Sequence, residues 1–247
     1  MIEFKNVSKA FGDRQILKGV SLTVDAGKVL FVIGKSGAGK SVLTKHVVGL
    51  VRPDSGAVLF DGVDVSSWTE EQFYPLRKRC TMVLQHSTLF DSMTIVENVA
   101  LPIRKHRQLG WNAALETATS YLNDVGMAEY AKRMPDTLGD GLRKRIAIAR
   151  ALALQPQCVI FDEPTTGLDP QSAIQVDGLI RSLADRFSVT CIVVSHDLRS
   201  IFSIADRVVM LYQGQVLLDG PADVFRRSEH PVVKQFMSGV PDGPMEL

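Results

Sequence analysis

Gly34-Lys35-Ser36-Gly37-Ala38-Gly39-Lys40-Ser41 is the stretch that decides the fold of this chain. It follows the apolar run Val29-Leu30-Phe31-Val32-Ile33 and precedes a helical-looking segment, the setting that a phosphate-binding loop needs. Glycines let the backbone approach phosphate oxygens, and successive N–H groups and a helix N-terminus face the anion. Lys40 would reach the β- and γ-oxygens, and Ser41 would offer its hydroxyl to Mg²⁺. The stretch predicts a nucleoside triphosphate site, with a glycine-rich turn after a strand as the alternative.

The composition indicates a soluble globular chain with no charge-driven partner. Its 247 residues are 45% hydrophobic, enough to bury a full core. The 28 Lys and Arg balance 27 Asp and Glu, and a net charge of +1 would steer neither nucleic acid nor an anionic membrane to the chain. No apolar run reaches the length of a spanning helix, and residues 1–5 lack the apolar core of a signal peptide. We expect a cytoplasmic protein that reaches a membrane only through a protein partner and binds no nucleic acid.

The cysteines carry no predicted chemistry. Cys80, Cys158 and Cys191 are odd in number and widely spaced, and the last two lie in apolar, strand-like runs. We expect buried reduced thiols rather than a metal site or disulfides.

Hydrophobic patterning predicts two kinds of strand. Residues 2–7 and 20–24 alternate polar and apolar side chains, which is typical of half-buried antiparallel strands. Residues 29–33, 158–161 and 189–194 are continuous apolar runs instead. Such runs indicate a parallel sheet that is covered on both faces.

A helical segment interrupts this α/β pattern. Residues from about 89 to 151 show mostly helical periodicity. We therefore predict one domain over 1–247, with an α/β core at 1–88 and 152–247 and a helical subdomain at 89–151. Near the end, a strand at 208–212, a hairpin turn at Gln213-Gly214 and a helix from about Pro221 are expected.

Two carboxylates end the apolar run at 158–161. In this arrangement Asp162 can hold Mg²⁺ through water while Glu163 orients an attacking water as the base. Strand-end surface charge is the alternative for an isolated pair. The phosphate-binding loop in the same chain favours the catalytic interpretation.

Polar residues also follow two other predicted strands. His196 ends the run at 189–194, where loops of an open α/β sheet gather around a ligand, and its imidazole could hydrogen-bond the γ-phosphate. Gln85 follows an apolar run at 80–84, and its amide can touch Mg²⁺ or the attacking water without adding charge. A satisfied core or surface histidine and a solvated loop amide are the alternatives.

These residues, in this order, resemble the nucleotide-binding subunits of ABC transporters over nearly the whole chain. The resemblance implies an α/β P-loop NTPase core with an antiparallel β subdomain and an inserted helical subdomain. It also implies ATP and Mg²⁺ as cofactors, with Walker A at 34–41, the Q-loop at Gln85 and Walker B at 158–162. Glu163 would be the catalytic carboxylate, residues 167–170 the D-loop, and His196 the switch histidine.

Two finer features follow from the same resemblance. An aromatic residue near the N-terminus stacks on adenine in that family, and Phe11 before Gly12 matches it, with a core phenylalanine as the alternative. Residues 89–99 and 233–244 look like the phospholipid-transport ATPases of the Mla type, which are associated with MCE proteins. This branch implies a lipid substrate.

The chain departs from the family in its signature segment (residues 138–142). The usual Leu-Ser-Gly-Gly, followed by Gln or Met, reads Leu138-Gly139-Asp140-Gly141-Leu142 here, and the helix-like residues after it secure the alignment. Losing a hydrogen bond to a charged phosphate costs roughly 1.5–3 kcal/mol. A negative charge about 5 Å from another costs on the order of 3 kcal/mol at an effective dielectric near 20. A benign alternative is that Asp140 turns outward or caps its helix.

The sequence therefore predicts an ATP-hydrolysing subunit that dimerises around two ATP molecules and drives a membrane permease. The expected transported substrate is phospholipid. It would lie on the cytoplasmic face of the inner membrane. A second ATPase subunit, identical or different, and an integral membrane permease are the expected partners, with an MCE-type lipid-binding protein and a small regulatory subunit as further ones. The rival hypothesis is a regulatory subunit with weak turnover. A DNA- or ribosome-acting ATPase is disfavoured by the single nucleotide module and neutral charge, and a GTPase by the missing Asn-Lys-x-Asp motif.

Overall fold

The computed structural model describes residues 1–240 and 242–245. Ten strands lie in that part of the chain: β1 (Ile2–Phe11), β2 (Arg14–Val24), β3 (Val29–Ile33), β4 (Ser55–Phe60), β5 (Val63–Asp64), β6 (Cys80–Val83), β7 (Cys158–Asp162), β8 (Thr190–Val194), β9 (Arg207–Tyr212) and β10 (Gln215–Gly220). The same residues form nine α-helices: α1 (Lys40–Val47), α2 (Glu70–Arg79), α3 (Ile95–Arg107), α4 (Trp111–Asp124), α5 (Asp140–Leu152), α6 (Pro170–Phe187), α7 (Leu198–Ile204), α8 (Ala222–Arg226) and α9 (Pro231–Ser238). None of these helices of the described chain is long and apolar enough to cross a lipid bilayer.

The alternating segments form a four-stranded antiparallel sheet with the order β2-β1-β4-β5. Ile2 pairs with Val24 on one side and with Phe60 on the other, so β1 lies in the middle. Alternate side chains such as Ile2 and Phe4 are buried, as the period of two requires. The predicted antiparallel β subdomain is confirmed.

The continuous apolar runs form the six-stranded sheet β10-β9-β3-β8-β7-β6. Neighbouring strands from β9 to β6 run parallel, and β10 alone is antiparallel to its neighbour. Every residue of β3 and β8 is buried, because both faces of the sheet are covered. Parallel strands end at one edge, so this topology brings the segments that begin at Gly34, Gln85, Glu163 and His196 to the same side of the molecule.

Helices α3, α4 and α5 lie between β6 and β7 in the chain and pack on one another. A capping box starts α3: the Thr94 N–H donates to Glu97 Oε2 over 2.8 Å. Val99 and Ile146 are fully buried and belong to the same apolar core as Phe161 of the parallel sheet. The helices agree with the periodicity of the sequence, and the subdomain limits at 89 and 151 stay a prediction.

The C-terminal region contains the predicted hairpin but two helices in place of one. Gln213 and Gly214 both have positive φ, 48° and 81°, which suits a two-residue turn between β9 and β10. In place of the single helix expected from about Pro221, α8 ends at Arg226 and α9 starts at Pro231, because proline favours the first helical turn, where its missing N–H is not needed. Pro241, within the tail segment that resembles the Mla type, lies outside the described residues.

The three cysteines are buried free thiols, as predicted. Cys80 and Cys158 are paired in the register of β6 and β7. The hydrogen bond with Cys80 and burial raise the pKa of the Cys158 thiol, and burial raises the pKa of Cys191. Cys158 and Cys191 are therefore poor nucleophiles.

Candidate functional site

The loop between β3 and α1 has a backbone that only glycine permits at two points. Gly34 has φ 140°, and a Cβ there would lie 2.2 Å from the Leu211 carbonyl oxygen. Gly39 has φ 99°, and a Cβ there would lie 2.6 Å from Leu17 Cδ2. The Ala38 N–H donates to Lys35 O over 3.1 Å and tightens the turn before α1. The result is a concave backbone at a helix N-terminus, the shape that holds phosphate groups.

Lys40 lies inside this loop. Its Nζ donates to the carbonyl oxygens of Gly34 over 2.8 Å and Lys35 over 3.0 Å. Burial lowers the pKa of Lys40, and the nearby carboxylates of Glu163 and Asp162 oppose that shift. A buried cation held by replaceable carbonyl contacts fits a role in binding an anionic ligand better than it fits a purely structural role.

Ser41 joins the loop to the end of β7. Its Oγ donates to Asp162 Oδ1 over 2.9 Å. The sequence places these two residues 121 positions apart, and the parallel sheet brings them together. Hydroxyl and carboxylate oxygens are the ligand type that Mg²⁺ prefers, so this donor set fits the ion expected with a triphosphate.

Glu163 follows Asp162 with a left-handed backbone, φ 50°. Its N–H donates to Val194 O over 2.9 Å, which fixes the residue against the end of β8. Its Oε2 accepts from Thr166 Oγ1 over 2.8 Å and lies 3.0 Å from His196 Nδ1. The structure therefore pairs the expected base with the expected switch histidine.

Gln85 lies near this group, beyond the end of β6. It is exposed, and its carboxamide has no hydrogen-bond partner within the part of the chain that the structure describes. Gln85 lines a polar cavity of about 430 Å³ together with Thr166 and Asp140. Its side chain is free to turn toward a ligand, and the structure does not place it in contact with Ser41 or Asp162.

Phe11 ends β1 and is 52% exposed, so the alternative of a core phenylalanine is wrong. Its register partner in β2 is Arg14, whose Nη2 lies 3.4 Å from the position of a Cβ at Gly37. Phe11 therefore lies in the hairpin whose Arg14 side chain reaches the phosphate-binding loop, while its role with adenine stays a prediction.

The signature segment begins α5. Gly139 is the N-cap of α5, and Asp140 is its first residue, with a side chain 73% exposed. Asp140 Oδ1 accepts from Arg143 Nη2 over 2.7 Å, one turn along the helix. A negative charge at a helix N-terminus is favourable to the helix, which supports the benign alternative for the free chain.

Lys144 and Thr166 are functional candidates that the sequence reasoning missed. Lys144 Nζ donates to Leu84 O over 2.9 Å and to Gln85 O over 2.6 Å. Burial lowers the pKa of Lys144 to about 8, against the attraction of Asp140 and Asp162. The available signal was its position: Lys144 lies on the apolar stripe of α5, one turn before the buried Ile148.

An apolar groove lies between the α/β core and α3, with a volume of about 600 Å³. We call it the docking groove, and Val48, Leu50, Met82, Leu84, Phe90 and Leu101 form its apolar part. Its cationic lining residues are Arg77, Lys105 and Arg150, and none of the described lining residues is acidic. Phe90 is 51% exposed, whereas Ile95 is fully buried, so Phe90 offers a surface contact here and Ile95 does not.

The fold and the site define a P-loop nucleotide-binding cassette. The family model described as "ABC transporter" matches residues 17–166. The chain belongs to the ABC transporter family.

Two groups of named relatives cover nearly all of this chain. The Escherichia coli K12 "Intermembrane phospholipid transport system ATP-binding protein MlaF" is 38% identical over 99% of this chain and 91% of its own length. The MlaF of Haemophilus influenzae is 38% identical over 100% and 94%. The "Probable ribonucleotide transport ATP-binding protein mkl" of Mycobacterium tuberculosis H37Rv is 34% identical over 100% of this chain and 68% of its own.

Solved structures share the fold. A dimeric post-hydrolysis state of the ATP-binding cassette MJ0796, bound to ADP and phosphate, has a TM-score of 0.82 at 27% identity, over 90% of this chain and 99% of that one. The cbiO1 subunit of Clostridium perfringens, part of the ABC transporter complex cbiONQ, has a TM-score of 0.84 at 26% identity, over 92% and 90%. The fold expected from the sequence is confirmed.

Proposed function

We propose that this chain is the ATP-binding and ATP-hydrolysing subunit of an ABC transporter that moves phospholipids. The observation that carries the ATPase assignment is the contact of Ser41 with Asp162 beside the buried Lys40, at the sheet edge that also holds the Glu163–His196 pair. The names of the MlaF relatives support the lipid substrate. The mkl name makes ribonucleotide the competing substrate to test.

Lys40, the loop backbone and Phe11 bind the nucleotide in this proposal. Lys40 Nζ exchanges its two carbonyl contacts for oxygens of the β- and γ-phosphates. Residues 34–41 supply backbone N–H groups to the same phosphates. The exposed ring of Phe11 stacks on adenine.

Ser41, Asp162 and Gln85 would hold Mg²⁺. When bound, this ion supplies positive charge that neutralises the phosphate oxygens during transfer. The Ser41 hydroxyl and the Asp162 carboxylate are already adjacent, and the unpartnered carboxamide of Gln85 adds a neutral oxygen from the neighbouring strand end.

Glu163 and His196 carry out the chemical step. Glu163 accepts a hydrogen bond from the attacking water and polarises it. Thr166 Oγ1 and His196 Nδ1 hold one oxygen of that carboxylate, which leaves the other oxygen to face the water. His196 then turns to hydrogen-bond the γ-phosphate, so the state of the nucleotide changes its contact with Glu163.

The catalytic unit is a dimer in this proposal, as ABC cassettes dimerise around ATP. Each nucleotide would lie between the Walker loops of one subunit and the signature segment of the other. The partner is therefore a second copy or a different ATPase subunit, and the choice depends on whether a phosphate can lie opposite the Asp140 carboxylate. The dimer bound to ADP and phosphate that MJ0796 forms supports this arrangement.

The docking groove receives a permease. Its apolar floor beside Gln85 suits a short amphipathic helix, and a cationic rim without acidic residues suits a helix that carries carboxylates. This contact places the chain on the cytoplasmic face of the inner membrane as a peripheral subunit. An MCE-type lipid-binding protein and a small regulatory subunit are further partners suggested by the Mla-type resemblance.

The altered signature segment favours a second candidate, a regulatory subunit that binds ATP and turns it over poorly. Asp140 stands where the family has glycine, and no serine hydroxyl is present at residue 139. ATP affinity and steady-state turnover, measured on the same purified assembly, separate the two functions. Tight binding with turnover no faster than that of Glu163→Gln would favour the regulatory role.

The proposed function is tested by purifying the chain from membranes with its partners and reconstituting the assembly in lipid vesicles. The proposal expects an integral membrane permease in the assembly and ATPase activity that phospholipid stimulates more than ribonucleotide does. Stimulation by ribonucleotide alone would contradict the lipid substrate. An assembly without a membrane protein would contradict the transporter assignment.

A further inference from the structure

Lys144 is a buried cation that the proposed mechanism does not use. Its side chain is 2% exposed, and both of its hydrogen-bond acceptors are neutral carbonyl oxygens, those of Leu84 and Gln85. Burying a cation against neutral partners costs free energy unless a specific interaction offsets it. A leucine or methionine would fill the same apolar stripe of α5 without the free-energy cost of burying a cation, so the lysine at this position needs an explanation.

The contacts join two segments that are 59 and 60 residues apart in sequence. Lys144 lies one helical turn after Asp140, at the signature end of α5. Leu84 and Gln85 follow β6, at the edge of the sheet where the nucleotide site lies. Lys144 thus connects the signature segment, which would face the nucleotide bound by a partner subunit, to Gln85, which would face the nucleotide bound by the same chain.

A second contact fixes the same two segments further along α5. Arg150 Nη1 donates to Thr88 O over 3.0 Å, and Nη2 donates to Thr88 Oγ1 over 3.3 Å. The backbone from 84 to 88 is therefore attached to α5 at two points. The carboxamide of Gln85 projects from this attached backbone, exposed and without a partner among the described residues.

We propose that Lys144 is a positioning residue that couples Gln85 to the signature segment of the same chain. This inference rests on the proposed function. Turning the Gln85 carboxamide toward Mg²⁺ in its own site moves the carbonyls that Lys144 holds, and Lys144 passes that displacement to the N-terminal turn of α5. In the sandwich dimer this turn faces the partner's nucleotide, so the contact links the two ATP sites.

The test compares Lys144→Met with Arg145→Met. Methionine keeps an unbranched apolar side chain one atom shorter than that of lysine and removes its donors. Arg145 is the matched control because it lies next to Lys144 in α5 and also donates to a backbone carbonyl, Val125 O over 3.0 Å, but does not touch residues 84–85. Thermal melting of each purified variant shows that it is folded.

Two readouts are measured. Amide hydrogen exchange over residues 84–94 of the purified chain accelerates about tenfold in Lys144→Met and less than about twofold in Arg145→Met. In the assembly with its permease, the Mg²⁺ concentration for half-maximal ATPase rises by about threefold or more in Lys144→Met, whereas KM for ATP changes by less than about twofold. Equal exchange in the two variants, or an unchanged Mg²⁺ requirement, would overturn the proposal.

A double-mutant cycle separates coupling through Gln85 from general loosening of the fold. If Lys144 acts through Gln85, adding Lys144→Met to Gln85→Ala lowers kcat no further, while independent effects would multiply. Lys144→Gln keeps an amide NH₂ as donor and should recover part of the activity. It replaces the methionine variant in the cycle if that variant does not fold. A parent assembly that binds ATP without hydrolysing it would contradict the proposed function, and the exchange comparison would still decide the role of Lys144.

Discussion

Replacing Gly139 by Ser and Asp140 by Gly restores the family's usual signature segment, and we expect the double variant to hydrolyse ATP at least about tenfold faster than the parent in a homodimer. The magnitude follows from the position of Asp140 at the N-terminal turn of α5. If the carboxylate comes to about 5 Å from the γ-phosphate across the dimer, repulsion costs on the order of 3 kcal/mol at an effective dielectric near 20.

The Arg143 contact reduces this cost without removing it. Asp140 and Arg143 are 73% and 36% exposed at their side chains, and an exposed ion pair is worth about 0–1 kcal/mol. A net gain of about 1.4 kcal/mol in the closed dimer already gives a factor of ten. The favourable position of Asp140 at the helix N-terminus, about 0.3–1 kcal/mol, is lost in the variant and lowers its stability instead.

The assay is the steady-state ATPase rate of each protein in its assembly with the permease, at saturating ATP. Asp140→Asn tests the charge alone, and Asp136→Asn is the matched control, since Asp136 is an exposed acid just before the signature segment. The account expects faster turnover for Asp140→Asn and an unchanged rate for Asp136→Asn. Equal rates for the parent and the double variant would mean that Asp140 points away from the phosphate. The hypothesis that Asp140 slows hydrolysis in a homodimer would then be wrong, and so would the argument for a different ATPase partner.

Two further predictions concern the docking groove and the loop that forms part of it. Phe90→Asp should release the folded chain from membranes, because it puts a charge on the apolar part of the docking groove. The control Val63→Asp, at a similarly exposed residue in β5, should leave the chain on the membrane. Membrane retention of folded Phe90→Asp would contradict the proposed role of the groove. Asn98→Ala should lower the free energy of unfolding by about 2–3 kcal/mol, because Asn98 is fully buried and bonds the backbone of Phe90, Met93 and Thr94. Urea unfolding measures the loss, with the exposed Asn123→Ala as the control, and equal losses would show that these bonds contribute nothing specific.

The sequence predicted the sheet and the sheet edge because each rests on a local pattern. Short continuous apolar runs such as 158–161 are typical of parallel strands that are buried on both faces. Once the strands are parallel, geometry alone brings Ser41 and Asp162 together. Local sequence patterns therefore predict both the fold and the part of the site that would bind the phosphates and Mg²⁺.

The features that the sequence did not reveal depend on long-range packing. Phe90 and Ile95 are apolar residues five positions apart, and their sequence does not tell that Ile95 is buried at the start of α3 while Phe90, in the loop before it, is exposed. Lys144 would be expected at the surface as a lysine, and its two carbonyl partners lie on a segment about 60 residues away. The start of α9 at Pro231 has a local signal, since proline favours the first helical turn, whereas the end of α8 at Arg226 has no comparable one.

The central claim is that Glu163 performs ATP hydrolysis at a site where Lys40 binds the nucleotide. The most direct test is to measure ATP binding and single-turnover hydrolysis in the parent, Glu163→Gln and Lys40→Ala, each purified with the permease. The account predicts that the parent binds and hydrolyses ATP, that Glu163→Gln binds it with similar affinity without hydrolysing it, and that Lys40→Ala does not bind it. Hydrolysis by Glu163→Gln at the parent's rate would contradict the account.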